Sequence, residues 1–210
     1  MYHQTAVFGP GGGVYIDTYL ESIDRSNAAS AALKAGRVDE AIALHKQALE
    51  LKLLVNPESS PVTGVTFNGL GEALLRAGRL EEADESFSKA LAIREEHGPD
   101  ADIASTRDNM GELREAQGRF AEAREVRLRG AAKKMIMCGN YDCPTNKTCG
   151  LDQLSACGAC QSVFYCSKSC QKMDWTKRHK PLCQARGAAA QASTQAGAQS
   201  SAQAGAQASS

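Results

Sequence analysis

No cysteine occurs before residue 138; all eight lie between Cys138 and Cys183. Net charge is missing too. The 24 Lys and Arg balance 24 Asp and Glu, so no field of one sign draws the chain to nucleic acid or an anionic membrane. Aromatics make up only 5%, which leaves Leu, Ile, Val and Ala to build the core and suits packed helices. No run of about 18 apolar residues is present, so no membrane-spanning helix is expected. The opening MYHQTAVFGPGGGVYIDTYL has no basic start followed by an apolar stretch, so no secretory leader is expected either. The expected compartment is cytoplasm or nucleus, both reducing. There, dense cysteines with a histidine among them read as metal ligands rather than disulfides.

The segment ahead of the cysteines repeats. AGRVDEAIALHKQALELK, AGRLEEADESFSKALAIR and QGRFAEAREVRLRGAAKK align on Gly36, Gly78 and Gly118, spaced 42 and 40 residues apart. A period in this range marks a solenoid. In the second unit, Val65, Leu70, Leu74 and Leu75 recur at helical spacing, Gly78 breaks the run, and Leu80, Ala83, Phe87, Ala90, Leu91 and Ile93 resume it. Each unit therefore reads as helix, turn, helix, loop. Small residues at matching places (Ala41, Ala83, Ala123; Ala48, Ala90, Gly130; Gly71, Gly111) predict close helix approach. Residues 14–26 read as a separate amphipathic helix packing on the first repeat. The last repeat helix is predicted to run to Met137.

With its Gly-Arg-x-x-Glu/Asp-Ala core, this pattern resembles the tetratricopeptide repeat, in the longer form of kinesin-light-chain-like arrays. Three repeats are assigned to 22–136, after an N-terminal segment, 1–21. The resemblance implies a groove that holds a peptide of a partner protein. Arg127, standing where the second repeat has Phe87, reads as the loosened end of an array facing water. By family geometry, Ser26, Ser30, Gly69, Ser105 and Asn109 occupy the places of a clamp for a chaperone's terminal carboxylate. Only Asn109 among them could donate as that motif needs, so that use is not expected. Glu72, Asp108, Glu112 and Glu115 are expected on the groove side, favouring a basic or amphipathic segment.

The cysteines fall into pairs: Cys138-x4-Cys143, Cys157-x2-Cys160, Cys166-x3-Cys170 and His179-x3-Cys183. These suffice for two four-coordinate zinc sites. The i, i+4 pairs sit one helical turn apart, so both members of each point the same way. Gln171 to Arg178 reads as a short helix ended by Pro181, with Gln171, Trp175 and His179 on one face. Two readings of Cys149 stay open: a replacement for Cys138 or Cys143, or a spare thiol. So small a segment buries little apolar surface and needs metal for its shape.

Cys157, Cys160, the Tyr165-Cys166 step, Cys170-Gln171, Trp175, His179 and Cys183 together resemble the MYND zinc finger, assigned to 137–184. The resemblance implies cross-braced wiring. One structural Zn²⁺ would take Cys138, Cys143, Cys166 and Cys170, the other Cys157, Cys160, His179 and Cys183. It also implies that Gln171 and Trp175 contact proline-rich peptides.

Lys172, Lys177, Arg178 and Lys180 read as a solvated helix face, and direct nucleic-acid binding is not expected because thiolates and zinc leave the finger near neutral. The tail, 185–210, is Ala, Gln, Ser, Gly, Thr and a single Arg, and reads as disordered. The Gly-rich stretch at 9–13 lacks the Lys-Ser/Thr of a phosphate loop, and no nucleophile–base pair stands out, so an enzyme is not expected. The fold expected is mostly α: a helical-hairpin solenoid, a two-zinc finger and a tail. The function expected is a zinc-binding adaptor for other proteins. A transcription corepressor or a RING-like ubiquitin-ligase component is the alternative.

Overall fold

The computed structural model describes residues 12–145 and 148–184, and expectations for 1–11 and for the tail 185–210 lie outside the described residues. The chain divides into two compact units, Met1–Leu113 and Arg114–Ser210.

The first unit holds α1 (Gly12–Lys34), α2 (Val38–Val55), α3 (Pro61–Arg76), α4 (Leu80–His97) and most of α5 (Asp100–Ala116). α1 packs on α2, α2 on α3 and α3 on α4, so the hairpins stack in sequence. The recurring Gly-Arg now has a mechanism. Gly36 and Gly78 carry φ of +77° and +73°. The Gly36 amide bonds to Leu33 O and the Arg37 amide to Ala32 O; Gly78 and Arg79 repeat this on Leu75 O and Leu74 O. This paired closure ends a helix through a left-handed residue, where a side chain costs about 1–2 kcal/mol. Arg37 and Arg79 then pair with Glu40 and Glu82 across the next helix start. Those pairs are about half exposed, so solvent screens them and they add little. The glycine, not the ion pair, sets the turn.

α1 differs from expectation. Residues 14–26 are not a separate helix: they and the first helix of repeat one form a single element, Gly12–Lys34. Between Gly13 and Gly36 no Gly or Pro offers a break.

Small residues allow close packing as expected. Ala29, Ala32, Ala41, Ala48, Ala73, Ala83 and Ala90 are fully buried, and a Cβ on Gly71 would stand 2.6 Å from the Phe87 ring. His45 packs in the same way over Gly69, where a Cβ would lie 2.5 Å from its Cε1. Burial, then the charge of Lys52, pulls the His45 imidazole down from 6.5 to about 4. The unfolded chain therefore binds a proton that the folded chain refuses. Stability is full above about pH 6.5 and falls as pH drops toward 4, by roughly 3 kcal/mol in all. His45→Leu should remove that slope. Urea midpoints of both proteins across pH 4–7 check this, and parallel curves would refute it.

Two buried cations link successive repeats. Lys52 donates to Thr66 and Ser26, and Arg94 to Thr106 and the Asp102 carbonyl. On the first-helix side, Asn109 Nδ2 donates to Glu72 Oε1 at 2.8 Å and Asn68 Oδ1 at 3.2 Å, so the one amide among the clamp positions is engaged internally. Burial pushes the Glu72 carboxyl above its ordinary value despite the hydrogen bonds from Asn109 and Asn68. Asp108 and Glu112 are only 7% and 6% exposed, and Glu115 is buried in the second unit. Asp108, Glu112 and Glu115 are thus more enclosed than a solvent-facing groove side implies.

The second unit starts inside α5 and continues with α6 (Phe120–Leu128), a 3-10 turn at Ala131–Lys133, β1 (Ser155–Ala156), β2 (Phe164–Tyr165) and α7 (Lys168–Asp174). β1 and β2 pair antiparallel, with Ser155 opposite Tyr165 and Ala156 opposite Phe164. α6 stops well short of Met137. Gly130 accepts bonds from the Lys133 and Met135 amides, and a Cβ there would meet Met135 O at 2.3 Å. Gly130 is therefore small for the sake of a turn, not for helix approach. Pro181 does not end its helix either. Trp175–His179 forms a widened π-turn, and residues 180–184 remain helical. A wider turn relieves the clash an interior proline makes with the preceding turn.

Candidate metal centre

The eight ligand candidates gather into two groups: Cys138, Cys143, Cys166 and Cys170, and Cys157, Cys160, His179 and Cys183. Within each group the donor atoms all lie within 4.8 Å of one another. None of the cysteines is in a disulfide.

Local structure explains the placement. In Cys138–Cys143 the buried Asn140 takes the Asp142 amide on Oδ1, while its carbonyl takes the Cys143 amide. This folds the x4 spacing into a tight loop. The Gly139 amide bonds to Phe164 O at 2.8 Å, and a Cβ on Gly139 would meet Val163 Cγ1 at 2.3 Å. Ser167 caps α7 by accepting from the Cys170 amide at 3.1 Å, which sets Cys170 one turn after Cys166. The Cys157–Cys160 turn is closed by the Gln161 amide on Cys157 O, with Gln161 at φ +60°. Cys149 joins neither group. It forms a two-bond bridge with Ile136 instead.

The geometry suits zinc. Cys143 and Cys166 sulfurs are 3.6 Å apart, Cys166 and Cys170 3.6 Å, Cys157 and Cys183 3.9 Å, and Cys160 Sγ lies 3.3 Å from His179 Nε2. Corners of a tetrahedron with Zn–S bonds of about 2.3 Å are about 3.8 Å apart. Burial pushes the Cys138 thiol far above its ordinary value and the Cys183 thiol up to about 12. Buried thiols of this kind ionise when a divalent cation offsets the charge. Cys157 behaves oppositely. Burial raises it, but the Cys160 and Ala159 amides outweigh this and bring it below its ordinary value.

The core around these groups contains Phe120, Val163 and Tyr165 beside the cysteines, with Trp175 packed against it. Trp175 is half-buried and meets the His179 ring edge-on at 5.9 Å; Gln171 is also half-buried. Arg178 corrects the expected solvated face. It grips Asp174 through two bonds of 2.8 and 2.9 Å and donates to Gly139 O at 3.0 Å, while Tyr165 donates to the same carboxylate at 2.7 Å. Lys177 pairs with Asp142. Arg127, expected to face water, is 3% exposed. It bonds to Glu115 and to the Ser162 carbonyl. Neither contact is legible in the repeat alignment: Glu115 lies on the preceding helix, 12 residues back, and Ser162 lies 35 residues on, in the finger.

A sequence model of the tetratricopeptide repeat matches residues 19–96 and 62–126, and one of the MYND finger matches 137–183. Protein KINESIN LIGHT CHAIN-RELATED 3 of Arabidopsis thaliana is 33% identical over 92 residues, 43% of this chain and 14% of that protein's length. The present chain thus spans a small part of that relative. Both modules are of the protein-interaction kind and typically non-catalytic, and the donor sets fit two structural zinc ions. By matches that cover more than half of its length, the chain belongs to the tetratricopeptide-repeat proteins and carries a MYND zinc finger behind the repeats.

Proposed function

We propose that this protein is a non-catalytic adaptor whose repeats and finger each bind a peptide segment of a partner protein. The observation that carries this reading is the closure of both metal groups. Each offers four protein donors, whereas a catalytic zinc keeps one position for water or substrate. The metal then serves shape, and the remaining surface serves recognition. At the finger the proposed ligand is a proline-rich segment lying against Trp175 and Gln171. Such a segment is already extended and loses little entropy on an aromatic surface. Among the described residues no helix is long and apolar enough to cross a membrane. We place the adaptor in the cytoplasm or nucleus, without direct nucleic-acid contact.

Titration of the zinc-loaded chain with a proline-rich peptide library, followed by heteronuclear NMR, tests this. Trp175→Ala should weaken the selected peptides roughly 10-fold or more, as for a central aromatic anchor, with two zinc ions retained. Unchanged affinity would sink the finger half of the proposal. Loss of zinc in the variant would make Trp175 a packing residue instead.

A further inference from the structure

Behind the second metal group lies a carboxylate that the finger itself does not supply. Glu115 sits in the last turn of α5, with its side chain 0% exposed. Its Oε1 accepts from Arg127 and, at 2.7 Å, from Ser162 Oγ. Its Oε2 has no hydrogen-bond partner and lies 3.9 Å from His179 Nδ1, a fully buried atom that has none either. On the far side of the imidazole, Nε2 faces Cys160 Sγ inside the metal group. Ser162 Oγ also lies 3.1 Å from that same sulfur.

Buried polar atoms without partners are uncommon. Here one acceptor and one possible donor face each other, a small ring rotation from contact. Coordination through Nε2 leaves the ring proton on Nδ1, the form that donates to a carboxylate. Arg127 and Ser162 occupy Oε1, so Oε2 is the lone acceptor left in this cluster of described residues. The carboxylate thus addresses one ligand of the second site directly, His179; the single Ser162 hydroxyl proton serves either Oε1 or the Cys160 sulfur, not both.

We propose that Glu115 is a positioning residue for the second zinc, accepting a hydrogen bond from His179 Nδ1 when the metal sits on Nε2. Zinc affinity at that site then depends on α5 and α6, which precede the finger in the chain. The inference rests on the reading of both donor groups as structural zinc sites.

Glu115→Gln keeps the shape but turns an amide or a weaker carbonyl toward Nδ1. In the zinc-loaded full chain, competition with a chromogenic chelator should show one of two ions bound 10–100-fold more weakly, the other unchanged. The wild-type ring gives a second readout that does not depend on the variant's folding. NMR of ¹⁵N-histidine-labelled protein should show a slowly exchanging, far-downfield His179 Nδ1–H, shifted upfield in Glu115→Gln. Equal zinc affinity in the two proteins, or a wild-type ring without that protected proton, overturns the proposal. A wild-type chain that binds no zinc would instead remove the two-site reading beneath it.

Discussion

Stripping both zinc ions from the chain with a strong chelator is expected to unfold residues 137–183 while α1–α4 stay helical. The second unit's finger has few large apolar side chains to hold it: Ile136, Val163, Phe164 and Tyr165 are buried, and the rest of that core is cysteine with Phe120 of α6. A segment of this size does not stabilise itself by burial alone. Structural zinc supplies about 10–16 kcal/mol of apparent binding free energy at neutral pH, and this becomes folding free energy. The first unit has its own core of Ala, Leu and Phe87 and contains no metal group among the described residues. Hydrogen exchange on chelated protein should therefore show protection lost across the finger and kept in α1–α4. Acid should act in the same direction as the chelator, because thiolates must take up protons as the metal leaves. Undiminished protection of the finger, with metal loss proven by mass, would refute the claim that zinc shapes it.

What the sequence discloses here follows from range. The Gly-Arg turns are local: Gly36 and Gly78 close their helices on carbonyls a few residues back, so the period alone reveals them. The two donor groups are legible for a related reason. Thiol chemistry limits the possible partners, and the cross-braced arrangement implied by the resemblance to the MYND finger is the one the gathered atoms match. The failures are positions where one residue type answers two different needs. Gly130 has the size of an inter-helix alanine but serves a turn. Pro181 carries a stop signal that the widened turn before it absorbs. Glu115 looks like one more acidic residue on an amphipathic helix. Its buried role needs Ser162 and His179, which belong to a different module.

Arg127→Met should destabilise the second unit by about 3–5 kcal/mol, the usual cost of leaving one member of a buried ion pair alone. The repeat alignment places His45, Phe87 and Arg127 at one position, nine residues after Gly36, Gly78 and Gly118. All three are buried, at 3%, 0% and 3% exposure. Their chemistry follows what each one faces. His45 lies over Gly69 and Phe87 over Gly71, while Arg127 faces the Glu115 carboxylate and the Ser162 carbonyl. Burial pushes the Glu115 carboxyl up, but the charge and hydrogen bonds of Arg127, with Ser162, outweigh it and hold the group below its ordinary range. Methionine fills much of the arginine's volume and removes its charge, so the loss measures the stranded carboxylate more than a cavity. The double change Glu115→Leu with Arg127→Met removes both charges and should recover most of the stability, since apolar replacement of a buried pair is often neutral or better. Zinc affinity at the second site should not recover with it, because the acceptor for His179 is still gone. Urea unfolding followed at α6 amides, run beside chelator competition, separates these outcomes. A single variant within about 1 kcal/mol of wild type would show that Arg127 and Glu115 are not a desolvated pair, and the account of this repeat position would fail with it.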